Sequence, residues 1–293
     1  MKKILITGAK SYIGTSFEKY IQKHYAGEYE IDTLDMMDEN WKNYDFSNYD
    51  TVFHVAGIAH ADVGHVSEET KKMYYRVNCD LAYETAQKAK AEHVKQFIYM
   101  SSIIVYGESA PYGKKKVITK DTQPAPANFY GDSKLQAEIK LSSLQEDSFH
   151  IAIIRPPMIY GRGSKGNYPV LSKLAKKLPV FPKIANERSM LYIENLCEFI
   201  RLLVKNNDQG IFFPQNEEYA STAEIVKNIN PRIKTLSIMN VAIFVGSKIP
   251  GKIKGLCNKA FGNLVYDKSL SKYSDNYCLI DFSSSIKKTE ENM

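Results

Sequence analysis

Apolar residues in the first half of the chain come in short blocks separated by amphipathic stretches. "KKILIT" is apolar after its lysines and ends at a glycine, whereas "YIGTSFEKYIQKHY" spaces its apolar residues at the helical period. "EIDTL" and "TVFHVAG" (51–57) follow as strands, and a helical region then reaches to about Ala91. "KQFIYMSS" (95–102), a helix beginning near Tyr130, and "HIAIIRP" (150–156) continue the series. Strand and helix in alternation predict an α/β fold, a doubly wound parallel sheet with right-handed crossovers. Strands covered on both faces explain apolar runs that are nearly continuous rather than alternating.

The polar stretch 35–50 is too short for a full strand–helix unit and predicts an abbreviated crossover. After about residue 157 the pattern loosens, and Pro169, Pro179, Pro182, Pro214, Pro231 and Pro250 divide it into short elements. That predicts a smaller lobe laid over the carboxyl edge of the sheet, where open α/β folds bind ligands.

Composition narrows the class. With 293 residues, 44% of them hydrophobic, the chain can bury a large core. The net charge of +6 reads as modest and spread along the chain, and Lys114-Lys115-Lys116 reads as a solvated loop. No motif joins aromatic to basic residues in the way nucleic-acid binding requires, so no nucleic-acid partner is expected. Cys79, Cys197, Cys257 and Cys278 are far apart, which argues against a disulfide framework or zinc site and suits a reducing cytoplasm. The histidines His24, His54, His60, His65, His93 and His150 show no metal-ligand spacing, and His60 and His65 read as polar loop residues. The first apolar run stops at Thr7-Gly8, too short for a secretion signal. Val241 to Val245 is the longest later run, against about 20 residues for a membrane span.

"LITGAKSYIGTSF" joins the first strand to the first helix. A dinucleotide loop needs a tight turn without Cβ, close backbone approach to a pyrophosphate, and a small residue where helix meets strand. Gly8 and Gly14 suit the first and last needs, while Ser11 stands where a third glycine is usual. Phosphate would then sit on the N–H groups opening the helix. Asp35 lies 21 residues beyond Gly14 at the end of the second strand. A carboxylate there accepts from a ribose diol and repels a 2′-phosphate, favouring NAD, while Lys10 leaves NADP as the alternative.

Tyr130 and Lys134 are one helical turn apart in "FYGDSKLQAE" and share a face. Free tyrosine has a pKa of about 10, and a neighbouring ammonium lowers it. Tyr130 would move the proton of a substrate hydroxyl while hydride leaves the same carbon, and Lys134 would also bind the nicotinamide ribose. Ser102, ending "FIYMSS", is the candidate to hold that oxygen.

"TGAKSYIG", "HVAG", "VNCDLAYETAQKA", "FIYMSSIIVYG", "YGDSKLQAE", "RPPMIYG" and "ERSMLYIENL" cover most of residues 4–200. In these stretches and their order the chain resembles the extended short-chain dehydrogenase/reductases, the nucleotide-sugar epimerase/dehydratase group. The resemblance implies a Rossmann NAD(P)-binding domain over 1–158. It implies a substrate lobe mainly over 159–293, with about 183–207 returning to the first domain. It assigns Ser102, Tyr130 and Lys134 to the catalytic triad. Gly8, Ser11, Tyr12, Ile13, Gly14 and Asp35 fall on dinucleotide contacts, and Ala56 and Gly57 fall beside the adenosine and pyrophosphate. Asn78 falls on the position supporting the site near the cofactor, and Pro156 where the nicotinamide packs. Arg188 falls on the clamp for a sugar-nucleotide diphosphate, the other reading being an ion pair with Glu187 or Glu194. Met158 falls on a substrate contact but replaces the family's usual asparagine.

Family members that dehydrate at C6 carry an acidic pair after the serine; Ile103 and Ile104 stand here, so dehydration is not expected. The resemblance implies a UDP-sugar substrate and a homodimer built on two long helices. Two reactions at C4 remain open: a UDP-glucose or UDP-N-acetylglucosamine 4-epimerase with retained NAD, in surface polysaccharide or galactose metabolism, and an NAD(P)H-dependent UDP-4-keto-6-deoxy-sugar reductase. A non-catalytic NAD(P) sensor is the reading from another class.

Overall fold

Six parallel strands form the main sheet of the computed structural model, which describes residues 1–59 and 66–291. In chain order the first half holds β1 (Lys2–Thr7), α1 (Tyr12–His24), β2 (Tyr29–Leu34), β3 (Thr51–His54), α2 (Glu68–Tyr75) and α3 (Leu81–Ala91). It continues with β4 (Gln96–Met100), β5 (Val117–Ile118), α4 (Phe129–Ser142) and β6 (His150–Ile154). The second half holds β7 (Met158–Tyr160), α5 (Asn167–Lys177), β8 (Val180–Pro182), β9 (Met190–Tyr192), α6 (Ile193–Asn206) and β10 (Gly210–Phe212). After these come α7 (Thr222–Ile229), β11 (Lys234–Leu236), α8 (Met239–Lys248), α9 (Lys252–Phe261), β12 (Val265–Tyr266) and α10 (Phe282–Glu290).

The sheet order is β10-β6-β4-β3-β1-β2. The chain starts in β1, pairs β2 on one side, then crosses to β3 on the other. The strand order therefore reverses between β1 and β3, and the carboxyl ends of those strands open the ligand crevice. The 35–50 segment crosses by a single 3-10 turn, Glu39–Asn43, as its length predicts.

Alternate residues of each strand feed two cores. Ile4, Ile6, Phe53 and Ile98 pack with Phe17 of α1 and Leu196, Ile200 and Leu203 of α6. Leu5, Val52, Phe97 and Tyr99 pack with Ala82 and Ala86 of α3 and Ala137 and Leu141 of α4. All residues of β3 and β4 are buried, which is why both read as unbroken apolar runs.

The second half interleaves with the first. β7 pairs β9, α6 lies along α1, and β10 pairs β6 at the sheet edge. The last strand of the sheet is thus β10, whose three residues are too few to carry a periodicity of their own. Two-stranded pairings of β5 with β12 and β8 with β11 build the lobe above the crevice.

Candidate active site

The glycine loop runs against the end of β3. Gly8 has φ +117°, and a Cβ there would lie 2.6 Å from the Ala56 nitrogen. A Cβ on Gly14 would lie 2.6 Å from Ser11 Oγ and 3.0 Å from Ile6 Cγ2, so helix and strand touch where the small residue was expected. Ser11 is the N-cap of α1, its hydroxyl accepting from Gly14 N at 3.2 Å. A side chain is tolerated here because it caps the helix. Tyr12 and Ile13 open the helix, where N–H groups have no intrahelical acceptor. Asp35 follows β2 directly, is exposed, and accepts from Met37 N at 3.0 Å. Backbone at contact distance, a helix N-terminus and a carboxylate at the neighbouring strand end together suit a dinucleotide with a free ribose diol.

Tyr130 lies in the first turn of α4, whose N-cap Asn128 accepts from Gly131 N at 3.0 Å. Ser102 pulls the Tyr130 phenol towards acidity, and Tyr74 packs edge-on against its ring with centroids 6.0 Å apart. Ser102 sits just past β4, where it also caps a short 3-10 turn by accepting from Ile104 N. Lys134 is buried one turn along the helix. Its Nζ donates to Met100 O at 2.8 Å and sits 4.7 Å over the Tyr99 ring.

The acidity differs from the sequence expectation. Burial pushes the Tyr130 phenol up to about 12, against a downward pull from Ser102. Burial also lowers Lys134 to about 8, with Glu138 opposing. The ammonium is engaged by a carbonyl and an aromatic face, so in this state desolvation outweighs any help it gives the phenolate.

Asn78 is fully buried, not on a helix surface, because a π-helical turn at Arg76–Asp80 rotates it inward. Its Oδ1 accepts from Ile58 N at 2.8 Å, and its Nδ2 donates to Ile58 O and Ser133 Oγ, both at 3.1 Å. Gly57 fits between: a Cβ there would lie 3.0 Å from Asn78 Oδ1 and 3.2 Å from Lys134 Nζ. Ala56 N donates to Thr7 O at 2.9 Å, locking the β3 end onto β1.

Two further groups escaped the sequence reading, the Glu138–Arg155 pair and His54. Glu138 and Arg155 form a buried ion pair, Glu138 also accepts from the Ser101 hydroxyl, and Arg155 Nη1 donates to Tyr106 Oη at 2.6 Å. His54, fully buried at the end of β3, meets Thr7 Oγ1 through Nδ1 at 2.7 Å, while its Nε2 has no partner among the described residues. Burial lowers its pKa to about 3. The Tyr12 hydroxyl is likewise buried without a partner among the described residues. The motif "RP" and the helix-face glutamate were visible signals, but nothing local pairs them. His60 and His65 lie outside the described residues.

On the substrate side, Pro156 is buried and accepts from Ile103 N at 2.9 Å. Met158 begins β7 and packs against the core below. Arg188 makes no ion pair with Glu187 or Glu194, which bind Lys115 and Lys288 instead. Its Nε donates to Gly262 O at 3.2 Å and its Nη2 to Lys259 O. Burial lowers it to about 10, the state of a cation short of anionic company.

The chain is similar to known proteins. The model of the NAD dependent epimerase/dehydratase family matches residues 4–213. The chain is 32% identical over 249 residues to a UDP-glucose 4-epimerase of Vibrio cholerae, covering 78% of this chain and 75% of that protein. It is 27% identical over 278 residues to the N-acetyl-alpha-D-glucosaminyl-diphospho-ditrans,octacis-undecaprenol 4-epimerase of Escherichia coli O157:H7, covering 85% and 81%. A dTDP-4-dehydrorhamnose reductase of Clostridium acetobutylicum ATCC 824 has the same fold at TM-score 0.72 and 16% identity, over 99% of this chain and 98% of that one. A family match over most of the chain, on a parallel sheet with a glycine loop and a Ser, Tyr, Lys cluster at one edge, settles the lineage: the chain belongs to the NAD-dependent epimerase/dehydratase family.

Proposed function

We propose that this protein is an NAD-dependent 4-epimerase of a hexose carried on a diphosphate, with UDP-glucose or UDP-N-acetylglucosamine as the substrate class. The observation that carries the reading is the placement of Ser102 just past β4 and Tyr130 in the first turn of α4, with Lys134 buried one turn behind. The Vibrio cholerae relative supports C4 epimerisation, and exposed Asp35 supports NAD over NADP. Surface polysaccharide or galactose metabolism, a cytoplasmic location and a homodimer belong to the same reading, the last checked by light scattering.

Gly8, Ser11, Tyr12, Ile13 and Gly14 would hold the pyrophosphate, Asp35 the ribose, and Ala56, Gly57, Asn78, Lys134 and Pro156 the nicotinamide half. When bound, the nicotinamide ring accepts and returns a hydride. Ser102 Oγ holds the sugar's C4 oxygen against Tyr130 Oη, and Tyr130 takes and later restores the hydroxyl proton. Ser102 lowers the phenol against the upward push of burial, the direction that proton transfer needs. Arg188 holds the diphosphate, a role for which a guanidinium fork is suited. Ile103 and Ile104 supply no acid for a second proton transfer, so the sugar keeps its C6 hydroxyl.

Tyr130→Phe tests the reading. The variant should fold and bind NAD, yet lose turnover of UDP-glucose or UDP-N-acetylglucosamine about a hundredfold or more, the scale of general acid–base catalysis. Near-unchanged turnover would remove the proton-transfer role. In wild type, interconversion of C4 epimers without added cofactor supports the epimerase. Consumption of NADPH only with a UDP-4-keto-6-deoxy sugar would replace it with the reductase, and cofactor binding with no turnover on any of these would leave a sensor.

A further inference from the structure

Between Ile225 and Tyr266 the chain has seven lysines and arginines and no aspartate or glutamate. The chain's net charge is +6, so the rest of it sums to −1. The positive charge is concentrated in one segment rather than spread along the sequence. That segment contains α8 and α9, a helical hairpin closed at Gly246, where a Cβ would lie 3.1 Å from Cys257 Sγ and 3.5 Å from Ile253 Cγ2.

One side of the hairpin is anchored. Asn240 Nδ2 donates to Lys183 O at 2.7 Å, Asn258 Oδ1 accepts from Tyr112 N at 3.1 Å, and Cys257 and Phe261 are buried. The other side is apolar and open to water. Ile238, Val241, Phe244, Val245, Ile253 and Leu256 are 51–75% exposed. A monomer rarely leaves such a concentration uncovered. Lys248, Lys254 and Lys259 stand exposed beside it.

Apolar tips rimmed by cations, on a segment that holds no acid of its own, are complementary to a surface of lipid tails and anionic headgroups. A second copy of the chain would set this basic segment against itself. Each helix has ten residues, about 15 Å of rise, half a bilayer's hydrocarbon thickness. No helix among the described residues is long and apolar enough to cross a membrane. The hairpin can lie on a bilayer but not through it.

We propose that α8 and α9 form a docking surface for an anionic lipid bilayer. Arg188 stands at its root, bonded to the Lys259 and Gly262 carbonyls at the end of α9. Docking would bring the diphosphate-binding arginine to the membrane and to any sugar diphosphate held there. Only that consequence rests on the function proposed above; the docking itself does not.

Co-sedimentation with vesicles tests it, using phosphatidylcholine alone and phosphatidylcholine mixed with phosphatidylglycerol. The full-length protein should pellet with the mixed vesicles and be released as salt rises. Phe244→Ser with Leu256→Ser, and separately Lys248→Glu with Lys254→Glu, should each weaken binding about tenfold or more. Turnover of the soluble sugar nucleotide should be unchanged in both variants, which separates docking from catalysis. Failure of the wild type to pellet with mixed vesicles, or equal pelleting by the variants, would overturn the proposal. So would light scattering that shows the serine changes dissociating a dimer while vesicles are ignored.

Discussion

Arg155 grips Glu138 from two sides: Nε lies 3.1 Å from both carboxylate oxygens and Nη2 lies 2.5 Å from Oε2, with the side chains 7% and 3% exposed. Glu138 is one turn beyond Lys134 on α4 and also accepts from the Ser101 hydroxyl. The pair thus ties the helix bearing Tyr130 and Lys134 to the strand ends bearing Ser102. Arg155→Met leaves a buried carboxylate unpaired and should cost about 3–5 kcal/mol of stability, read by urea unfolding. Adding Glu138→Leu should recover part of that loss, since an apolar pair replaces the uncompensated charge. A double variant no more stable than the single would show that the pair does not act as a unit.

Lys134 carries a stability signature of its own. Its pKa is about 8 in the fold against an ordinary 10.5. Between those values the unfolded chain binds the proton that the folded chain refuses, so unfolding stability rises with pH from about 8 to about 10.5. Below about 8 the full cost of keeping the buried ammonium charged remains. Lys134→Met should abolish this rise while also abolishing turnover. Parallel urea midpoints for wild type and variant across the window would contradict it.

His54 predicts the acid side. Its pKa of about 3 lies far below the ordinary 6.5, because burial disfavours the charged ring. The unfolded chain takes up a proton as pH falls below about 6.5 and the folded chain does not until about 3, so stability is lost as pH falls. The slope is about 1.4 kcal/mol per pH unit for one such group. His54→Gln should flatten it by that amount, measured by denaturant titration at two pH values in the window. An unchanged slope would mean that the imidazole is protonated in the fold.

Arg188→Leu tests the proposed clamp on the sugar diphosphate. Arg188→Leu removes the guanidinium but only a pair of carbonyl bonds from the fold. KM for the sugar nucleotide should rise about tenfold or more, the loss of a charge-assisted contact, with NAD affinity unchanged. Equal loss of both affinities would place the arginine in the structure rather than the site.

The local signals were legible before folding. Alternating apolar runs and helical periods define the parallel sheet, since strands covered on both faces must be apolar throughout. The turn at Gly8 and the Tyr130–Lys134 spacing depend on neighbours in the chain, so the sequence alone carries them. Tertiary structure decided what depends on distance through space. It brought Glu138 to Arg155, turned Asn78 inward through a π-helical turn, left His54 neutral, and set Arg188 on the end of α9. It also raised the pKa of the Tyr130 phenol in this state, because desolvation is set by groups that fold against it from elsewhere in the chain, Tyr74 among them.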